Sequence, residues 1–167
     1  MQPAPPKLFK LSLALIMLLG LILSFGSSAR DLIWGYDTSH VPVVTASDIR
    51  ALQSDANGRD DFVIVDVRSE DETSVSMIPG ALTISEFERT SHLHQGKAIF
   101  VYCTIGVRSG NYAASLIENG WQAWNYKGSI LDWCQHNLPL VANGRETNRV
   151  HTYSWRFSEP QNYTQVL

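Results

Sequence analysis

The chain has 167 residues, of which 44% are hydrophobic and 17% are charged, a composition typical of a folded protein of about one domain. Its 13 basic and 16 acidic residues give a net charge of −3, which argues against nucleic-acid binding because that function needs a basic face. Two cysteines, Cys103 and Cys134, are too few for a disulfide scaffold or an all-cysteine zinc site, and the five histidines are scattered. We therefore expect no metal.

The first 29 residues have the pattern of a secretory signal peptide. Two lysines precede an apolar run over residues 11–25, and small residues at 27–29 offer a cleavage site. The run is shorter than the roughly 18–20 residues that a membrane-spanning helix needs. We therefore expect an exported, periplasmic or secreted domain. The alternative is an uncleaved membrane anchor through residues 8–25, with the domain outside the cytoplasm.

Residues 30–40 show no periodicity and are interpreted as an extended lead-in to a domain over 41–141. In this domain, strand-like apolar runs alternate with helix-like segments, which predicts an α/β fold with an open parallel sheet flanked by helices on both faces. The predicted strands cover residues 41–44, 62–67, 82–84, 98–102 and 121–126. The predicted helices begin after a cap at Thr45 and at residues 86, 109 and 129. The polar and aromatic tail over 142–167 either adds a strand near residues 150–155 or drapes over the domain.

One segment, residues 103–109, is the candidate for chemistry. It lies between a predicted strand and a predicted helix, and ligands bind at the carboxyl ends of parallel strands. Backbone N–H groups of the turn and the helix N-terminus stabilise a thiolate on Cys103, and Arg108 adds a positive charge that attracts an anion. The segment predicts a nucleophilic cysteine in an anion-binding cradle, and the alternative is a buried cysteine that only fills space. The residues predicted to line the cradle are Thr104, Ile105, Gly106, Val107, Arg108 and Ser109.

Several motifs, in the same order along the chain, resemble the rhodanese-like sulfurtransferases. They are Asp66-Val67-Arg68 followed by Glu72, then Ile78-Pro79-Gly80-Ala81, then Tyr102 before a Cys-x-x-Gly-x-Arg-Ser loop, and later Lys127-Gly128-Ser129. The resemblance covers about residues 41–141 and implies the rhodanese-like fold.

The resemblance also implies a mechanism. Cys103 takes the outer sulfur of a donor such as thiosulfate as a persulfide and passes it to cyanide or to a thiol, without cofactor or metal. Asp66, Arg68 and Glu72 are implied to be structural, as an ion-pair and hydrogen-bond anchor for the strand end. The partners expected are therefore a small-molecule sulfur donor and acceptor.

The chain departs from the family pattern at several positions. Ser76 and Met77 stand where the family usually has glycine and histidine. Thr104 replaces an arginine that often follows the cysteine in thiosulfate users, and the loss of that cation weakens the case for thiosulfate as the donor.

Other functions stay open as alternatives. The domain could be a non-catalytic rhodanese-like binding or sulfur-carrier module. It could also be a thiol redox protein outside the cytoplasm, with Cys134 as the partner of Cys103. A phosphatase is disfavoured because its loop needs five residues between cysteine and arginine, and this chain has four.

Overall fold

The computed structural model describes residues 37–55, 60–157 and 161–167. The predicted signal segment over residues 1–29 and most of the lead-in lie outside these ranges. Within the described ranges, no helix combines the length and the apolar character that crossing a membrane requires.

Five parallel strands form the central sheet. They are β1 (Val43–Val44), β2 (Phe62–Asp66), β3 (Leu82–Thr83), β4 (Ala98–Tyr102) and β5 (Ala123–Tyr126). Their spatial order is β1-β5-β4-β2-β3, so β4 lies at the centre of the sheet, between β5 and β2. The sequence-based bounds are confirmed within two residues, and those of β4 are identical to the prediction. The bounds agree because strands that are buried on both faces of a sheet are continuous apolar, often β-branched runs, which are easy to delimit in the sequence.

Five α-helices connect and cover the strands in the described residues. They are α1 (Ala46–Ser54), α2 (Glu70–Val75), α3 (Ile84–Thr90), α4 (Val107–Glu118) and α5 (Ser129–Gln135). The predicted cap of α1 is confirmed, because the Thr45 hydroxyl accepts from the Asp48 backbone N–H and Asp48 Oδ2 accepts from the Thr45 backbone N–H.

Helix α2 was not predicted. Its six residues show no apolar periodicity, and the helix is stabilised at its start by the cap at Ser69. The backbone N–H and the hydroxyl of Ser69 both donate to Glu72 Oε2, at 3.1 and 3.0 Å.

Both faces of the sheet are buried, as predicted. Successive strand residues point to opposite sides. On one side Ile64 and Phe100 pack in a core with Trp133 of α5 and with residues of α1. On the other side Val101 is fully buried and α4, with the fully buried Ala113, packs against β4 and β5.

The chain beyond α5 forms two small sheets. β6 (Leu140–Ala142) pairs antiparallel with β7 (Arg145–Thr147), and β8 (Arg149–His151) pairs parallel with β9 (Thr164–Val166). Val150 is fully buried in the same core as α1, and β8 packs against α2. The segment predicted as a tail is therefore part of the packed domain. Of the strand expected near residues 150–155, the part up to His151 is present as the end of β8, and turns follow it.

Candidate active site

The loop that carries Cys103 begins at the carboxyl end of the central strand β4 and ends at the start of α4. Its turn depends on Gly106, which has a φ of +91°. A Cβ at this position would lie 2.1 Å from the carbonyl oxygen of Lys127, so a larger residue cannot be accommodated without moving the backbone. The close approach of residue 127 therefore fixes the path of the loop.

The Cys103 sulfur is held by converging donors. Sγ accepts from the Gly106 backbone N–H at 3.1 Å and from the Ser109 hydroxyl at 3.5 Å, and the side chain is 1% exposed. Burial by itself raises the pKa of the thiol, but hydrogen bonds from Ser109 and from the backbone of Ile105 and Gly106 outweigh it and lower the pKa of Cys103 below its ordinary value. The loop therefore favours the thiolate, the reactive form of cysteine.

The other cysteine has the opposite environment. Cys134 lies in α5 and is fully buried, and burial raises its pKa to about 12 despite the opposing effect of the Arg68 charge. Both cysteines are free thiols. Of the two cysteines, only Cys103 therefore lies in surroundings that favour the thiolate.

Two residues that support the loop were not identified from the sequence. Asn125 of β5 accepts from the Ser109 hydroxyl at 2.7 Å and donates to the Gly106 carbonyl at 3.0 Å. Ser129 accepts from the Cys103 backbone N–H at 3.1 Å and donates to the Tyr126 carbonyl at 2.9 Å. A polar residue inside an apolar strand was the available signal for Asn125. For Ser129 the available signal was its place in the Lys127-Gly128-Ser129 motif.

Arg108 is ion-paired with a buried carboxylate. Its two terminal nitrogens donate to Glu72 Oε2 at 2.6 Å and to Oε1 at 2.8 Å. Thr104 hydrogen-bonds to both members of this ion pair, since its hydroxyl donates to Glu72 at 2.9 Å and accepts from Arg108 at 2.8 Å. Burial raises the pKa of Glu72, but the hydrogen bonds from Arg108, Ser69 and Thr104 lower it to about 2. The Arg108 charge, expected to attract an anion, is thus already paired with a carboxylate of α2.

The residues expected to anchor the strand end form two separate groups. Arg68 binds Asp66 through Nε and a terminal nitrogen, at 2.9 and 2.7 Å, and also donates to the Ser76 carbonyl at 2.6 Å. Both members of this pair are fully buried. Glu72 belongs to the other group, with Arg108. The first pair ties the end of β2 to residue 76, and the second ties α2 to the cysteine loop.

The remaining loop residues divide by exposure. Thr104, Gly106 and Ser109 are buried, whereas Ile105 and Val107 are 42% and 63% exposed and form the outer surface of the loop. In the part of the chain that the structure describes, no group of three or more His, Cys, Asp or Glu side chains could hold a metal ion.

Comparison with known proteins assigns the family. The Rhodanese-like domain family matches residues 45–136. The chain belongs to the rhodanese-like family. A sulfurtransferase of Allochromatium vinosum is 31% identical over 104 residues, which are 60% of this chain and 97% of that protein. The putative sulfurtransferase YtwF of Bacillus subtilis is 29% identical over 86 residues, which are 50% of this chain and 84% of that protein.

Two further matches concern longer proteins. A tRNA uridine(34) hydroxylase of Cytophaga hutchinsonii is 32% identical over 85 residues, and this chain spans 27% of its length. The crystal structure of thiosulfate sulfurtransferase from Pseudomonas aeruginosa is 25% identical, with a TM-score of 0.52, and the match covers 64% of this chain and 21% of that chain. The rhodanese-like domain and its sulfurtransferase relatives support a role in sulfur transfer.

Proposed function

We propose that this rhodanese-like protein is a sulfurtransferase that carries sulfane sulfur as a persulfide on Cys103. The observation that carries the proposal is the Cys103 sulfur itself, which accepts from Gly106 N–H and the Ser109 hydroxyl at the carboxyl end of β4. Donors that stabilise a thiolate also stabilise the persulfide anion that replaces it. The same loop therefore serves both states of the cysteine.

The reaction takes place in two nucleophilic steps. The Cys103 thiolate attacks the outer sulfur of the donor, a new S–S bond forms, and the leaving group departs with the electron pair of the broken bond, as sulfite if the donor is thiosulfate. An acceptor, cyanide or a thiolate, then attacks the terminal sulfur of the persulfide and restores the Cys103 thiolate. The second step regenerates the starting enzyme, so no external oxidant or reductant is needed.

The alternatives are less well supported by the site. A redox partnership needs a second reactive thiol, whereas burial raises the pKa of Cys134 to about 12. Phosphate chemistry needs an arginine that is free to bind the phosphate, whereas Arg108 is bound to Glu72 at two atoms. A sulfur carrier shares the first step and differs only in the lack of rapid transfer to an acceptor.

Mass spectrometry of the intact full-length protein tests the proposal. After incubation with thiosulfate, we expect a mass gain of one sulfur atom that thiol treatment reverses. Cys103→Ser should abolish this gain, and Cys134→Ser should retain it. Thiocyanate formation with cyanide then separates an enzyme from a carrier, which loads sulfur without turnover. Failure of the parent protein to gain sulfur, or loss of the gain in both variants, contradicts the proposal.

We also propose that the domain acts outside the cytoplasm. The lysines, the apolar run and the small residues within positions 1–29 support this location. N-terminal sequencing of the protein recovered from cells tests it, with Arg30 expected as the first residue. A mature chain that keeps residues 8–25 favours the anchored alternative, and recovery from the cytoplasm contradicts both.

A further inference from the structure

A cavity of about 440 Å³ lies beside the cysteine loop and is shared by three parts of the chain. Ile105 contributes from the loop, Lys127 and Asp132 from the end of β5 and from α5, and Arg156 and Phe157 from the chain beyond β8. Arg156 lies outside residues 45–136, the extent of the family match. The cavity therefore lies between the cysteine loop and a segment that follows the family match.

The C-terminal segment, defined here as residues 149–157, is fixed firmly beside the loop. Val150 and Thr152 are fully buried, and Phe157 packs against the main core. The ring of Tyr153 lies 5.1 Å from the guanidinium carbon of Arg108. These contacts place the backbone of residue 156 beside the cavity, and the exposed Arg156 side chain lines its wall.

The charges around the cavity are predominantly positive. Lys127 and Arg156 face it, and among residues 37–55, 60–157 and 161–167 neither forms an ion pair. Asp132, whose Oδ2 accepts from the Tyr126 hydroxyl at 2.7 Å, is the one acidic side chain among the lining residues, so the two cations outnumber it. Arg108, the only cation of the loop itself, is paired with Glu72. The positive charge available to a ligand thus comes from outside the loop.

We propose that Lys127 and Arg156 form a subsite that attracts small anionic sulfur compounds to Cys103. Two cations on the wall of a cavity beside the cysteine loop raise the local concentration of an anion there, and their effect falls as salt screens them. Arg108 then serves to hold the loop in shape. The identity of the ligand as a sulfur donor rests on the proposed function, whereas the effect of charge at Cys103 does not.

Alkylation of Cys103 in the full-length protein measures that effect without sulfur transfer. Iodoacetate is an anion and iodoacetamide is neutral, and both react with the thiolate, so the ratio of their rate constants cancels any change in thiolate population. Peptide mapping identifies Cys103 as the modified residue. Lys127→Gln and Arg156→Gln should each lower the ratio about threefold at low salt, and the difference should vanish at high salt.

Arg149→Gln is the matched control. Arg149 belongs to the same segment and is exposed, but it does not line the cavity. We expect its ratio to equal that of the parent. A fall in the ratio as large as that of Arg156→Gln would show a diffuse charge effect and overturn the proposal. Equal losses with both reagents in Lys127→Gln and Arg156→Gln would assign these residues to loop structure and overturn it as well.

The kinetics of sulfur transfer separate this proposal from the proposed function. The Michaelis constant for thiosulfate should rise about threefold in Arg156→Gln with kcat unchanged, because an attraction lost equally in ground and transition states affects binding alone. If the parent forms no persulfide at all, the proposed function fails, while the alkylation ratio still reports on the subsite. If persulfide forms but neither the ratio nor the Michaelis constant changes, only the subsite fails.

Discussion

Gly106 determines the shape of the cysteine loop through one close contact. In Gly106→Ala the new methyl group would meet the Lys127 carbonyl at 2.1 Å, so the loop must move and the donors to Cys103 lose their alignment. We expect the rate of sulfur transfer to fall by about tenfold or more.

Gly120→Ala is the control for this change. Gly120 also has a positive φ, +83°, but a Cβ there meets nothing within 4 Å. We expect a cost of about 1 kcal/mol in the free energy of unfolding and little effect on the rate. Equal rates in the two variants would show that the contact with residue 127 does not shape the loop.

Ser109 contributes a hydrogen bond that lowers the pKa of Cys103. Ser109→Ala should raise that pKa, because the thiolate loses a donor while burial continues to disfavour its charge. The rate of alkylation by iodoacetamide, measured against pH, should therefore reach half of its maximum at a higher pH than in the parent.

Ser115→Ala, a change on the same helix, is the comparison for Ser109→Ala and should leave the profile in place. Cys134, whose pKa burial raises to about 12, provides an unreactive internal reference in the same experiment. An unchanged profile in Ser109→Ala would assign thiolate stabilisation to the backbone N–H groups alone.

The sequence predicted the cysteine loop but not the whole environment of Cys103. Cys103 and the loop around it could be predicted because the loop follows a strongly apolar strand and matches a family pattern. The contacts of Asn125 depend on β5 lying next to β4, which is a fact of sheet order rather than of local sequence. The pairing of Arg108 with Glu72 joins residues 36 apart in the chain, and no spacing rule predicts it.

At the level of elements, the strands and helices that could be predicted are those with a clear apolar pattern. The strands β2 and β4 are nearly all apolar, which marks them clearly. Helix α2 has six residues and no apolar face of its own, so only its cap at Ser69 could have indicated it. The C-terminal strands are three residues each, too short to show a period, and β8 packs on the domain through the fully buried Val150.

Strand β8 is therefore the element whose contribution to stability is most open to test. Val150→Ala should lower the free energy of unfolding by about 1–3 kcal/mol, because the side chain is fully buried and its loss leaves a cavity. Urea unfolding measures the change.

Val43→Ala makes the same substitution in β1, where the side chain is 57% exposed. We expect a change of about 0.5 kcal/mol or less there. If Val150→Ala is equally mild, the C-terminal strands are an appendage rather than part of the core.

For the whole molecule, the pair formed by Glu72 and Arg108 predicts a pH dependence of stability. The pKa of Glu72 is lowered in the folded state to about 2 from an ordinary 4.5, so its stabilisation is complete above pH 4.5 and is lost as the pH falls toward 2. A third of the Arg108 side chain is exposed, which limits the effect to about 1–2 kcal/mol.

Glu72→Gln isolates this contribution. The difference in unfolding free energy between the parent and Glu72→Gln should shrink as the pH falls from about 6 to 3. Glu70→Gln, an exposed neighbour in α2, should show no comparable trend. If the difference stays constant over this range, the ion pair between Glu72 and Arg108 is not the cause of the difference in stability.

The burial of Val150 in the same core as Ala46 has a consequence for how the chain folds as it is made. The edge strand β1 also pairs with β5, some eighty residues later. The first and last parts of the domain therefore close on each other, and a ribosome-bound chain cannot complete its core until nearly all of it has emerged. The protein is proposed to leave the cytoplasm. This topology delays the folding of the domain, so the nascent chain stays unfolded, as export through a membrane channel requires, until its synthesis is almost finished.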